Sequence, residues 1–227
     1  MWLQILPFLL AVAVGFRHAF EVDHLAAVSN IVTKRNSPLL AMKDGASWGL
    51  GHSSSILVVG VIMLSLRYSI PENYFQAMEG AVGVMIILLG IFRLWQFFRQ
   101  TPIKLHLHEH THDGHTHTHL HLHIGDEPSH QHSHKLPYGV GIIHGLAGSG
   151  VLIAAAMAAM KTVATSLLFL IVFSVGCIGG MLVAAAILGL PFSKKLRTFG
   201  KIQTALVIFS CVICFVLGAR IMVENWF

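Results

Sequence analysis

The stretch from Arg17 to His24 reads RHAFEVDH and sets two imidazoles, two carboxylates and a guanidinium into eight positions. Imidazole nitrogen supplemented by carboxylate oxygen suits borderline dications such as Ni2+, Co2+ and Zn2+, whereas Mg2+ and Ca2+ prefer all-oxygen shells. The octet continues an apolar run that begins at Leu3, and LAAVSNIV carries it on for two further turns. An ionisable group near a bilayer centre costs ~2.5 to 3.5 kcal/mol on insertion scales, so such groups face the inside of a bundle and mark a site. At 100° per residue a regular helix gathers His18, Glu21 and His24 within roughly 120° but turns Asp23 about 100° away from His24. Either Asp23 supports the ligands from behind, or the helix is broken here, as helices often are at binding sites within membranes. Gly15 would ease such an irregularity.

Two lone histidines lie further along: His52 in GLGHSSSILVVG and His144 in HGLAGSG. Taken singly, each is as readily an interhelical hydrogen-bonding group as a ligand, and small neighbours that admit another backbone suit both readings. Taken with the octet, they point to one metal site drawn from His18, Glu21, Asp23, His24, His52 and His144. The other twelve of the sixteen histidines are His106, His108, His110, His112, His115, His117, His119, His121, His123, His130, His132 and His134. Alternating H-x-H in a polar tract containing Gly and Pro reads as a disordered metal-binding segment. With no fixed geometry of its own, that segment is expected to buffer or sense metal rather than form the intramembrane site.

Membrane helices must position these groups. The chain has 227 residues, 55% hydrophobic and 11% charged, with a mean hydropathy of +0.71, which excludes an ordinary soluble domain. A span needs ~20 apolar residues, and six stretches qualify: Leu3 to Ser29, Ala46 to Leu66, Phe75 to Phe97, Tyr138 to Met160, Val163 to Leu190 and Ile202 to Val223. The expected fold is an all-α polytopic membrane protein of six transmembrane helices, with no soluble catalytic domain left over. The first span lacks a positively charged leading region and is expected to be retained rather than cleaved.

The segment 100–136 separates a first three-helix half, 1–99, from a second, 137–227. An odd number of spans per half inserts the second half in the opposite sense, which is the inverted-repeat plan. Both halves carry G-x-x-H, at Gly15/His18 and Gly141/His144, and Gly90 with Arg93 is echoed by Gly218 with Arg220. The formal charge of +5 does not indicate nucleic acid, because the bases lie in short loops where they set orientation. Lys34, Arg35, Lys43, Arg93, Arg99, Lys104, Lys135, Lys194, Lys195, Arg197 and Lys201 fall on one face, and Arg67, Lys161 and Arg220 on the other. That bias puts both termini outside and the His-rich loop in the cytoplasm. Cys177, Cys211 and Cys214 lie within spans, where a disulfide is not expected; the CxxC they include reads as small residues packed between apolar helices.

With these residues in view, the sequence resembles the nickel/cobalt transporter family, most closely its short UreH-type urease-accessory branch. The family signature R-H-A-x-D-A-D-H is followed at Arg17, His18, Ala19, Asp23 and His24, with Glu21 in place of the first Asp and Val22 in place of Ala. LGHSS, Leu50 to Ser54, resembles the second signature, L-G-H-S, and HGLAGSG is similar to the opening of the second half in UreH-type proteins. The L-G-F-D-T-A-T-E motif of longer family members has no equivalent. The resemblance implies a secondary transporter that takes up Ni2+ or Co2+ through His18, Asp23, His24 and His52, with Glu21 and His144 as further ligands. It implies a plasma (inner) membrane location, no permanent cofactor, and a cytoplasmic metallochaperone as partner.

A buried carboxylate and imidazoles could exchange protons for metal, since ligands must deprotonate to bind. Nickel, cobalt or zinc export through the same site is the nearest alternative. An intramembrane metal- or haem-dependent redox protein is a more distant one. Neither H-E-x-x-H nor a Walker A pattern is present, and thiol carriers of a 3+3 plan would need paired cysteines in the first helix of each half, which has none.

Overall fold

The computed structural model describes residues 2–66, 71–100, 103–112, 115–124, 135–160, 162–193 and 200–227. Seven helices carry it: α1 Trp2–His18, α2 Val22–Val32, α3 Pro38–Leu66, α4 Glu72–Gln100, α5 Lys135–Ala159, α6 Val163–Gly189 and α7 Gly200–Trp226. A short 3-10 turn, Leu190–Phe192, follows α6. Among the described residues four helices are long and apolar enough to cross a membrane (Pro38–Leu66, Asn73–Arg99, Val163–Phe192 and Ile202–Trp226), and the bent pair of α1 with α2, counted as one span, brings the number to five. The chain is an integral membrane protein. Several side chains in the second half of α5 fall outside the described residues.

The first apolar stretch is broken, as the second of the two readings of the octet expects. Amides of Phe20 and Glu21 bond the carbonyls of Arg17 and His18, closing the last turn of α1 tightly. Glu21 then adopts an extended backbone (φ −64°, ψ 151°) as the residue capping α2, and the two axes diverge by 56°. A break within an apolar span is tolerated where surrounding protein satisfies the freed backbone.

Helices approach closely at glycines, since packing between helices in lipid rests on van der Waals contact rather than water exclusion. A Cβ at Gly15 in α1 would meet the Phe173 carbonyl and the Cys177 amide nitrogen of α6; one at Gly141 in α5 would meet the Trp48 carbonyl and the His52 amide nitrogen of α3. Reciprocally, Gly176 in α6 faces Val12 and Phe16, and Gly51 in α3 faces Tyr138 and Ile142. Every member of the first crossing, α1 on α6, thus has a counterpart in the second, α5 on α3. Gly83 of α4 and Gly218 of α7 face each other's carbonyls in a third crossing.

A buried polar network fixes α2. The Asn30 side-chain amide donates to Cys214 Sγ (2.7 Å), while its carbonyl oxygen accepts from Ser210 (3.1 Å) and Cys211 (3.6 Å). Cys214 in turn donates to the Ala26 carbonyl, and Ser29 meets Ser210 at 2.5 Å. The CxxC is therefore spent on holding α2 against α7. Asn30→Ala would strand buried hydroxyl and thiol groups and is expected to cost about 1 to 3 kcal/mol, read as a lower unfolding temperature in detergent.

Two of the bases that the sequence assigns to orientation also have structural partners. Arg35 forms a two-pronged ion pair with the buried Asp44, and Arg93, itself buried, donates to Thr33 Oγ1 (2.5 Å) and the Thr33 carbonyl (3.3 Å). They tie the turn after α2 to α3 and α4.

The His-rich tract, expected to be disordered, forms an antiparallel hairpin of β1 Ile103–His112 and β2 His115–Ile124. An every-second-residue alternation has the period of a strand, which accounts for the difference. His106, His108, His110 and His112 lie opposite His121, His119, His117 and His115, and His123 lies opposite Lys104. His130, His132, His134, Arg67, Lys161, Lys194, Lys195 and Arg197 lie outside the described residues.

Candidate metal centre

The break in the first span sets its polar residues around a common point. His18 ends α1, and Asp23 and His24 open α2, where a carboxylate also complements the helix N-terminus. Gly141 and Gly145 let α5 lie directly on α3 beside the His52 backbone, so that His52 and His144 complete the group from two further helices. Ring centroids are 4.5 Å apart for His18 and His24, 5.1 Å for His24 and His52, 5.3 Å for His18 and His52, and 4.1 Å for His24 and His144. Among the described residues, His18, His24 and His52 present ligand atoms all within 4.8 Å of one another, and so do Asp23, His24 and His144. His24, His52 and His144 are buried.

Hydrogen bonding assigns the protons. A carboxylate only accepts, so the imidazole nitrogen facing it carries the hydrogen and the other nitrogen presents a lone pair. Asp23 accepts from His24 Nδ1 through Oδ1 (3.0 Å) and from His144 Nε2 through Oδ2 (2.9 Å). Glu21 accepts from His18 Nδ1 at 2.9 Å. The nitrogens left over, His18 Nε2, His24 Nε2 and His144 Nδ1, are buried without a hydrogen-bond partner, as are both nitrogens of His52. Stranding buried polar atoms is costly, and four neighbouring imidazoles that each strand a ring nitrogen fit a cluster that takes a cation.

Trp48 and Phe173 wall the cluster: Trp48 lies 5.5 Å from the His24 ring and 5.7 Å from His144, and Phe173 lies 5.7 Å from His18. A cavity of about 640 Å³ reaches His18, Asp23, His24 and His144. Glu21 also lines it and is exposed, while Arg17 is exposed and does not line it. Sequence reasoning overlooked Trp48, although it stands one helical turn before His52 and so shares its face. It also overlooked the cavity-lining Glu79 and Glu224. Glu79 lay in plain view as an acid inside the third apolar stretch; Phe173 had no signal beyond being one of many apolar residues in α6.

Among known proteins, the urease accessory protein UreH of Bacillus sp. (strain TB-90) is 30% identical over 220 residues, 94% of this chain and 89% of that protein. Residues 25–219 match the family described as cytochrome C biogenesis protein transmembrane region. The chain belongs to that transmembrane-region family, as a UreH-type member.

Shorter matches surround this UreH-type chain. The nickel transporter NixA of Staphylococcus aureus is 33% identical over 97 residues, 38% of this chain and 28% of NixA. The high-affinity nickel transport protein of Cupriavidus necator is 30% identical over 92 residues, again 38% of this chain and 25% of that protein. No solved structure matches the chain. The transmembrane-region scaffold comes here without a thiol pair on α1 or α5. The three cysteines are buried in α6 and α7, with Cys177 packed against Ala11 and Phe173.

Proposed function

We propose that this UreH-type protein is a secondary transporter, not an enzyme, that takes Ni2+ up across the plasma (inner) membrane. The observation that carries the reading is the cluster of four imidazoles, His18, His24, His52 and His144, each with a buried ring nitrogen lacking a hydrogen-bond partner, beside the break between α1 and α2. In this reading the imidazoles of His18, His24 and His52 bind the ion, with His144 beside them as a further nitrogen. Asp23 and Glu21 hold imidazoles in the metal-ready tautomer, the arrangement that fixes ring orientation and raises ligand basicity in many metal sites. Asp23 is then a positioning carboxylate rather than a principal ligand. Nitrogen-rich donors favour Ni2+, with Co2+ and Zn2+ as competitors.

Two halves, 1–99 and 137–227, form a 3+3 inverted repeat around this site, with 100–136 between them. The matched glycine crossings support this, because Val12, Gly15 and Phe16 correspond to Tyr138, Gly141 and Ile142 at a constant offset of 126, and Gly51 to Gly176 at 125. By the same offset His52 corresponds to Cys177, so the second half supplies His144 alone. Alternating access is then rocking of one half against the other around a fixed site.

Both termini lie outside, and the His-rich hairpin is a cytoplasmic buffer that hands metal to a metallochaperone. Uptake of radioactive Ni2+ by proteoliposomes, with Co2+ and Zn2+ as competitors and an imposed pH gradient, tests the reading. Accumulation that responds to the gradient is expected, and no accumulation under any gradient would reject it. Deletion of residues 106–134 is expected to leave uptake running at near wild-type maximal rate while lowering the metal bound per protein at equilibrium. A transport-dead deletion would move the essential site into the loop.

A further inference from the structure

The cavity that reaches the histidines is also lined by a second group of charged residues. Glu79 in the second turn of α4 and Arg220, Glu224 and Asn225 near the end of α7 line it, together with Val82, Leu217 and Ile221 on the same helices. The Trp226 indole donates to the Ala77 carbonyl at 3.2 Å, and its ring occupies the space beside Gly80. With the crossing at Gly83 and Gly218, this holds the start of α4 and the end of α7 together as one rim. That rim is at the opposite end of α4 from the His-rich hairpin.

Four carboxylates, Glu21, Asp23, Glu79 and Glu224, line this cavity against one guanidinium. At the inner end of the same cavity stand His24 and His144, 1% and 2% exposed, each with a buried ring nitrogen lacking any partner. Arg220 donates to Glu224 at 2.7 Å, but both side chains are more than half exposed. Ion pairs in that setting are weak and easily exchanged.

We infer that Glu79 and Glu224 form an outer capture zone for the dication, latched by Arg220, from which the ion passes to the histidines. An arriving dication competes with the Arg220 guanidinium for Glu224 and displaces it, drawn by the field of the carboxylates that line the cavity. A narrow cleft with low-dielectric walls focuses such a field and raises the local concentration of cations. The carboxylates, hard oxygen donors with Glu224 exposed and Glu79 half-buried, select for charge; the nitrogen-rich inner cluster selects for the kind of metal. This rests on the transport reading for its purpose but not for its test.

The test uses the full-length protein, both in proteoliposomes and in detergent, with Ni2+ alone as the probe. Initial uptake and stopped-flow association are measured at low and high ionic strength for wild type, Glu79→Gln/Glu224→Gln, Glu79→Asp/Glu224→Asp and Arg220→Gln. The double Gln variant is expected to lose about tenfold in association rate and in kcat/KM at low salt, and to lose most of its salt dependence. Its maximal uptake rate and the equilibrium Co2+ absorption spectrum of the His cluster are expected to stay as in wild type, and the double Asp variant to retain the fast association. Arg220→Gln is expected to associate faster than wild type. Wild-type association and salt dependence in the double Gln variant would overturn the capture zone, as would an altered Co2+ spectrum, and a slower Arg220→Gln would overturn the latch. A wild type that binds Ni2+ but transports none rejects the transport reading, while the association rates still decide the capture zone.

Discussion

Replacing Asp23 with Asn is expected to weaken Ni2+ binding by about 10- to 100-fold and to reduce uptake correspondingly, with the helical bundle intact. Both carboxylate oxygens are engaged, Oδ1 by the His24 amide (2.8 Å) and ring Nδ1 (3.0 Å), and Oδ2 by His144 Nε2 (2.9 Å). An Asn has one acceptor oxygen and an amide nitrogen that only donates. One of the two histidines must then turn its lone pair toward the amide, and its N–H faces the point where metal should sit. Glu21 cannot substitute, being engaged with His18. Equilibrium dialysis gives the affinity and Co2+ absorption reports the coordination. Because α2 is anchored by Asn30, well away from Asp23 along the helix, an unchanged unfolding temperature is expected to accompany the loss. Wild-type affinity in Asp23→Asn would show that the carboxylate neither binds the ion nor sets the tautomers.

Asp23 also marks where reading the sequence succeeds and where it stops. Residue type gave away the octet, since charged groups inside an apolar run are costly enough to demand a shared purpose. Helical periodicity even exposed the conflict, because an unbroken helix cannot aim Asp23 with His18 and His24. Resolving it needed the extended conformation of Glu21 and the 56° bend, which depend on how α2 packs on α7. The partners that hold α2 there, Asn30 with Ser210 and Cys214, stand 180 and 184 residues apart, and no local pattern links them. Arg35 and Arg93 show another limit: as loop and span-end bases they count toward orientation, and pairing with Asp44 and Thr33 gives them structural work as well that charge counting does not see. The loop's alternation was visible as a composition bias, and the same alternation was a strand period.

Gly141→Ala is expected to destabilise the protein by about 2 kcal/mol or more, while Gly139→Ala, two residues earlier on the same helix, is expected to be neutral or to gain up to about 1 kcal/mol. The added methyl at Gly141 would run into the Trp48 carbonyl, the Trp48 ring and the His52 amide nitrogen, whereas nothing lies within 4 Å of one at Gly139. Backbone atoms cannot rotate away as a side-chain end can, so α5 must move off α3. That separation carries His144 away from His52 and tilts Trp48 out of the wall. Lost stability should therefore come with lost Ni2+ affinity, unlike Asp23→Asn, where affinity alone falls. The crossing of α1 on α6 makes the same prediction: Gly15→Ala meets the Phe173 carbonyl and the Cys177 amide nitrogen and should lift His18 from the site, and Gly179→Ala on α6, with nothing within 4 Å, should be silent. Thermal unfolding in detergent alongside equilibrium dialysis separates the four variants. Equal stabilities for Gly139→Ala and Gly141→Ala would mean that α5 does not lie against α3 at His52, and the four-helix assembly of the imidazoles would fall with that contact.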